Sequence, residues 1–205
     1  MNKLALITGG AKGIGAAIAN ELAANHYDIA INYLTSEKLA NELKQTLTSR
    51  YGVNVFTFKC DVSDLKQVDE MITYLENNHG GVDILINNAA VDLSNMWHEK
   101  DIEAFKRTLD VNVIGAYNVS RRVYKYMLDK KWGRIVNISS TNGINTYYPM
   151  SLEYDASKAA LISLTHNLAI EFAPYINVNA IAPGFIGTES ELDGYDEEFL
   201  KSEQE

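Results

Sequence analysis

Short, almost wholly apolar segments recur along the 205 residues, each followed by a stretch of helical periodicity. Residues 4–8 form such a run, and Ile14, Ala17, Ile18, Leu22 and Ala23 after it fall on one helical face. A second run covers 29–33, and Leu39, Leu43 and Leu47 mark the next helix, with Ser36 as its expected cap. A third run, 53–59, precedes a helix carrying Val68, Met71, Ile72 and Leu75, with Ser63 as its expected cap. Further runs at 82–86, 134–139 and 176–182 alternate with helices expected over 103–129 and 152–173. A strand apolar on both sides must be covered on both, which is the situation of a parallel sheet between two helical layers. Right-handed crossovers then favour an α/β doubly wound parallel sheet, a Rossmann fold in three α/β/α layers with strand order 3-2-1-4-5-6. No internal repeat or linker interrupts the pattern, so residues 1–205 are expected to form a single domain.

Composition excludes several classes. At 46% hydrophobic and 22% charged, the chain reads as globular. No apolar run approaches the ~20 residues of a membrane helix, and the first is too short for a secretory signal. Cys60 alone allows no internal disulfide, fits a reducing compartment, and reads as a small buried hydrophobe. Cytoplasm is the expected location. The net charge of −9 is concentrated at one end: from Glu189 onward eight acidic residues face Lys201 alone, leaving 17 basic and 19 acidic residues elsewhere. No basic face exists for nucleic acid. The four histidines, at 26, 79, 98 and 166, are too scattered to hold a metal.

Between the first strand and first helix stands Thr8-Gly-Gly-Ala-Lys-Gly-Ile-Gly15. By itself a glycine cluster is a tight turn. Here it opens a helix, where exposed amides and the positive end of the helix dipole attract a pyrophosphate. Glycine at 9, 13 and 15 removes side chains that would block that approach or the packing of helix on strand. Tyr154 and Lys158 are four apart at the start of a helix, so they share a face. Such a pair is usually a solvated face. An ammonium within ~4–6 Å of a phenol would nevertheless lower its pKa from ~10 toward neutrality. Ser139-Ser140 ends the fifth strand at the carboxyl edge, where α/β folds bind ligands, although such serines also serve as helix caps. Asn112 lies inside the 103–129 helix, an unfavourable place for Asn, and reads on its own as a tolerated surface residue.

The Gly-x-x-x-Gly-x-Gly spacing, Asn87-Asn-Ala-Ala90, Tyr154-Asp-Ala-Ser-Lys158 and Asn179-Ala-Ile-Ala-Pro-Gly184 together resemble the short-chain dehydrogenase/reductase family, most of all its 3-oxoacyl-(acyl-carrier-protein) reductases. The resemblance departs at Ala90, where the family has Gly. It implies an oxidoreductase in which Ser140 polarises a carbonyl, Tyr154 is the acid/base, Lys158 assists it and holds the nicotinamide ribose, and Asn112 positions a relay water. It also implies cofactor contacts at Gly9, Lys12, Gly13, Ile14, Gly15, Asn32, Tyr33, Thr35, Asp61 (toward adenine), Val62, Asn88, Ala89, Ala90, Tyr154 and Lys158. Pro183, Gly184, Ile186 and Thr188 would close over the nicotinamide.

NAD enzymes of this fold place a carboxylate at the end of the second strand. That strand ends Asn32-Tyr33, and Asp28 stands at its other end, so Lys12, Thr35 and Ser36 are expected to meet the 2′-phosphate of NADP(H). The substrate expected first is a carrier-linked carbonyl, with Lys130-Lys131 as a carrier contact. Pro174-Tyr-Ile-Asn-Val178 lacks the basic residue often found there, and Tyr147, Tyr148, Pro149 and Met150 suggest an aromatic pocket. The alternatives are a free small ketone, sugar or polyol, or a non-catalytic NADP sensor. Family members usually continue through a further helix and a seventh strand, which 1–205 is expected to lack, with 194–200 read as a lid helix. They also form a homo-oligomer, a dimer or tetramer, through helices corresponding to 103–129 and 152–173.

Overall fold

The computed structural model describes residues 2–188. Its strands are β1 (Leu4–Ile7), β2 (Asp28–Tyr33), β3 (Val55–Lys59), β4 (Ile84–Asn87), β5 (Gly133–Ile138) and β6 (Ile176–Ile181). Between them run α1 (Gly13–Ala24), α2 (Glu37–Tyr51), α3 (Leu65–His79), α4 (Ile102–Leu109), α5 (Ala116–Asp129) and α6 (Leu152–Glu171). Among the described residues the strands form one parallel sheet in the order β3-β2-β1-β4-β5-β6, as the alternation of segments implied.

Successive strand residues point to opposite faces, and each face has its own core. Leu4, Leu6 and Leu85 pack on one side with Val68, Met71, Ile72 and Leu75 of α3, Val119, Val123 and Met127 of α5, and Leu168 of α6. Ala5, Ile7, Ile29, Ile31, Ile84 and Ile86 pack on the other with Ala19 and Ala23 of α1 and Ala40 and Leu47 of α2. Every residue of β1, β2 and β4 is buried, which is why those segments read as unbroken apolar runs. At the amino edge two buried aspartates pin the strand starts. Asp83 accepts Leu4 N–H at 2.9 Å and pairs with Lys130. Asp28 accepts the backbone N–H of Asn54 at 3.0 Å.

Three local expectations are corrected. The cap of α3 is Asp64, which accepts Lys66 N–H and Gln67 N–H, while the Ser63 hydroxyl donates to Asp61 instead. Ser36 stands at the start of α2 but its side chain caps nothing there. The 103–129 helix is not uniform: a π turn, Asp110–Gly115, joins α4 to α5. The extra residue rotates Asn112 into the interior and sets Gly115 against Val62, where a Cβ would come within 2.5 Å of Val62 Cγ2. The proposed lid at 194–200 lies outside the described residues.

Leu85, fully buried in the central strand β4, supports the α3/α5 face of the sheet. Leu85→Ala is expected to lower unfolding free energy by about 2–5 kcal/mol, read as an earlier urea midpoint with an unchanged slope.

Candidate active site

All the loops leaving the carboxyl edge of the sheet meet around one cleft of about 550 Å³. Asn32, buried at the end of β2, accepts Gly9 N–H on its Oδ1 at 3.2 Å and donates through Nδ2 to Cys60 O at 2.8 Å. Asn88, just past β4, donates to Thr8 O and Gly9 O, both at 3.0 Å. Thr8 Oγ1 accepts Asn88 N–H and Ala89 N–H, each at 3.0 Å. The exits of β1, β2, β3 and β4 are thus laced together. Gly9 adopts φ +60°, and a Cβ there would lie 2.9 Å from Ala89 Cα. A Cβ on Gly15 would lie 2.6 Å from Gly9 O, so this glycine packs helix against loop and is not itself in the cleft wall.

The turn ends at Lys12, the N-cap of α1, with no side-chain cap and no acidic residue in the helix's first turn. Uncapped amides facing a cleft fit an anionic group such as a cofactor pyrophosphate. Lys12, Gly13, Ile14, Asn32, Tyr33, Leu34, Thr35, Ser36, Asp61 and Val62 line this end. No carboxylate stands at the exit of β2, and the Asn32 amide is engaged by the glycine turn. Burial, and after it Glu37, raises the Tyr33 pKa.

Arg107 also lines the cleft here. It donates to Asp61 Oδ2 at 2.7 Å and to Ser63 Oγ at 2.8 Å, while Asp61 Oδ1 accepts Ser63 N–H and its hydroxyl. Burial opposes ionisation of Asp61, but the bonds from Ser63 and Arg107 outweigh it and hold the carboxyl below its usual range. Both carboxylate oxygens of Asp61, the residue expected to lie toward adenine, therefore already have partners. Cys60 lines the same wall as a buried thiol, its pKa pushed up to about 12 by burial and by Asp61, Asp64 and Glu70.

Ser139, Ser140, Tyr154 and Lys158 also line the cleft, as do Asn88, Ala89, Ala90, Pro183, Gly184, Ile186 and Thr188; Asn88, Ala89 and Thr188 lie against the glycine turn, where a Cβ on Gly13 would come 3.6 Å from Thr188 Cγ2. The two serines differ. Ser139 Oγ donates to Lys158 O at 2.9 Å and is fixed there. Ser140 Oγ accepts Asn142 N–H at 3.2 Å, and its own hydroxyl has only a long contact, 3.4 Å, to Asn142 Oδ1. Lys158 is 3% exposed, donates to Ile138 O at 2.7 Å, and has its Nζ 5.3 Å from the centre of the Tyr154 ring. Burial lowers its pKa from 10.5 to about 8, with Asp92 pulling the other way.

Asn112 does not line the cleft. Its amide bonds Val91 on both sides (N–H to Oδ1 at 2.8 Å, Nδ2 to O at 2.9 Å) and also donates to Ser157 Oγ, which in turn donates to Tyr154 O. It ties the β4 exit to the turn of α6 that bears Tyr154. Arg107 and Val111 were not anticipated, because they sit on the α4–π segment and reach the cleft only through the fold. Lys130 and Lys131 stand before β5, at the sheet edge opposite the cleft, with Lys130 paired to Asp83. No group of His, Cys, Asp and Glu among the described residues is arranged to hold a metal ion, and no described helix is long and apolar enough to cross a membrane.

A doubly wound sheet with an uncapped helix N-terminus at one end of its cleft, and a serine, a tyrosine and a buried lysine at the other, defines a dinucleotide-dependent oxidoreductase. The family profile for short chain dehydrogenases matches residues 3–197, and the chain belongs to that family. It is 38% identical over 190 residues to the acetoacetyl-CoA reductase of Paracoccus denitrificans, covering 92% of this chain and 76% of that protein. It is 36% identical over 187 residues to the 3-oxoacyl-(acyl-carrier-protein) reductase of Staphylococcus epidermidis, covering 91% and 76%. Among solved structures it resembles ElxO with NADP bound (TM-score 0.88, 36% identity, 98% of this chain and 83% of that one). The acetoin dehydrogenase YohF of Salmonella typhimurium is also similar (TM-score 0.85, 34% identity, 92% and 74%). Membership makes the chain an oxidoreductase that takes a nicotinamide cofactor.

Lys158 has a consequence for stability. Between pH about 8 and 10.5 the native protein has released its proton while the unfolded chain still holds it. Stability therefore rises with pH across that window and is lowest, for this group, below pH 8. Relative to Lys158→Met, the wild type is expected to gain on the order of 3 kcal/mol from pH 7 to 10.5, measured by urea unfolding at each pH.

Proposed function

We propose that this protein uses NADPH to reduce the 3-oxo group of a carrier-linked 3-oxoacyl thioester to a secondary alcohol. The observation that carries the reading is the placement of Ser140 Oγ, Tyr154 and buried Lys158 at one end of a cleft whose other end is the uncapped N-terminus of α1. The names of the relatives add the acyl chemistry: acetoacetyl-CoA and 3-oxoacyl carrier protein both present a carbonyl β to a thioester.

A reduced nicotinamide cofactor, held by the glycine turn and the N-terminus of α1, would supply the hydride. Ser140 donates to the carbonyl oxygen and stabilises the charge that develops there. Ser139 does not compete, because its hydroxyl is held by Lys158 O. Tyr154 gives that oxygen its proton. The Lys158 ammonium, cationic below pH about 8, favours the tyrosinate left behind and so lowers the barrier to that transfer. The Asn112 amide is engaged by Val91 and by Ser157, whose hydroxyl donates to Tyr154 O, so Asn112 acts by holding the turn that bears Tyr154. Preference for NADPH over NADH is supported by Lys12, Thr35 and Ser36 in the wall and by the missing carboxylate after β2.

A free small ketone is the second reading, favoured by one observation. The rim loops 91–101 and 140–151 carry a single lysine, Lys100, and it is already bonded to Glu153 at 2.6 Å and Met150 O at 2.7 Å. We also propose a cytoplasmic location, supported by the single reduced cysteine. A homo-oligomer is proposed as well, paired through α5 and α6, which leave Tyr117 and Ile170 exposed. Its mass in solution tests this.

Acetoacetyl thioesters are expected to oxidise NADPH while simple ketones do not; turnover of ketones alone would favour the second reading. Tyr154→Phe is expected to lower kcat by roughly 10²–10⁴-fold with NADPH binding retained. The rate of reduction should fall as pH rises through about 8, where Lys158 loses its charge.

A further inference from the structure

Ser140 must do two things at once: stand within reach of the same carbonyl oxygen as Tyr154, and keep its hydroxyl free to donate. The segment between them, 141–153, is mostly irregular, so neither follows from regular secondary structure. Thr141–Gly143 is one 3₁₀ turn, and Ser140 is its N-cap, with extended backbone (φ −160°). The cap bond, Asn142 N–H to Ser140 Oγ, uses a lone pair of the serine and leaves its hydrogen available. Accepting a bond also makes that hydroxyl a better donor. Its only acceptor among the described residues, Asn142 Oδ1 at 3.4 Å, is at the outer limit of a hydrogen bond and is easily given up to a substrate.

What holds Asn142 is Asp155, the residue after Tyr154. Asn142 Nδ2 donates to Asp155 Oδ1 at 2.7 Å. A carboxylate only accepts, so this bond fixes which end of the amide faces Ser140: the oxygen, not the NH₂. Asp155 also accepts Ser151 Oγ at 2.9 Å and Tyr148 N–H at 3.2 Å. One side chain in the first turn of α6 thereby gathers three points of the 140–153 segment. The turn is also pressed against α6 itself, where a Cβ on Gly143 would lie 2.7 Å from the carbonyl carbon of Lys158.

The geometry points to Asn142 and Asp155 as a positioning pair that sets the distance between Ser140 and Tyr154 and keeps the Ser140 hydroxyl ready to donate. The inference rests on the reading of Ser140 as the group that meets the carbonyl oxygen. Neither residue touches the substrate carbonyl; both act through the serine, and that is what the experiment must separate from a general loosening of the loop.

Steady-state reduction and NADPH binding by fluorescence titration are measured for Asn142→Ala and Asp155→Ala, each alone and in a Ser140→Ala background, with the slow variants followed over hours. The expected result is a kcat lower by about 10- to 100-fold in each single variant, with the NADPH Kd within twofold of wild type, which also shows that the variants are folded. In the Ser140→Ala background the second substitution is expected to cost nothing further, because the group it positions is gone. Wild-type kcat in both single variants would overturn the inference. So would an equal fold-loss with and without Ser140, which is the signature of a merely structural role. Wild-type activity in Ser140→Ala itself would overturn the underlying reading of Ser140, an outcome seen before any double variant is made.

Discussion

The buried amide of Asn32 and the half-buried amide of Asn88 hold the exits of four strands together, and the cleft exists because of them. Asn32 bridges the glycine turn to the end of β3, and Asn88 bridges the same turn to the end of β4. A buried amide left without partners costs about 1–3 kcal/mol, so each bond made here is also a penalty avoided. The glycine turn could not supply this order itself, since residues with free backbone rotation lose the most entropy on folding. The asparagines fix the turn, the turn fixes where α1 begins, and the start of α1 fixes the anion-attracting end of the cleft.

The opposite end is built by similar means. Ser139 ties β5 to α6, Lys158 returns a bond from α6 to β5, and Asn112 ties the β4 exit to the turn that carries Tyr154. The π turn is the device that makes the last of these possible. In a continuous α-helix Asn112 would stand about one residue's rotation away from its partners. An unfavourable helical residue and an unfavourable helical geometry thus account for one another.

The fold was legible because a parallel sheet covered on both faces leaves a strong trace: the three strands β2, β1 and β4 are buried at every position and show no polar alternation. The glycine turn, Ser140, Tyr154 and Lys158 were legible because their chemistry demands particular residue types at particular spacings. Asp64 was missed as a cap because Ser63 beside it is an equally good candidate, and only the bond from Ser63 to Asp61 decides between them. Arg107 was missed for a different reason. An arginine on a polar helix face looks solvated until the fold brings it to Asp61, some 46 positions away in the chain. Long-range ion pairs of that kind leave no local pattern. The π turn was invisible as well, since helix periodicity blurs one inserted residue over the length of 103–129.

The two edges of the sheet have been given different work. At the amino edge Asp28 and Asp83 fasten strand starts to one another and to Lys130, and nothing there faces the cleft. At the carboxyl edge the outer parts of the rim loops, 92–99 and 144–150, hold exposed Trp97, Tyr147 and Met150 and contribute little to either core. Drift in those loops is therefore nearly neutral for folding while it reshapes what reaches Tyr154. A lineage built on such a frame can change its substrates quickly without first accumulating spare stability, since the residues that diversify are not the ones that keep the sheet assembled.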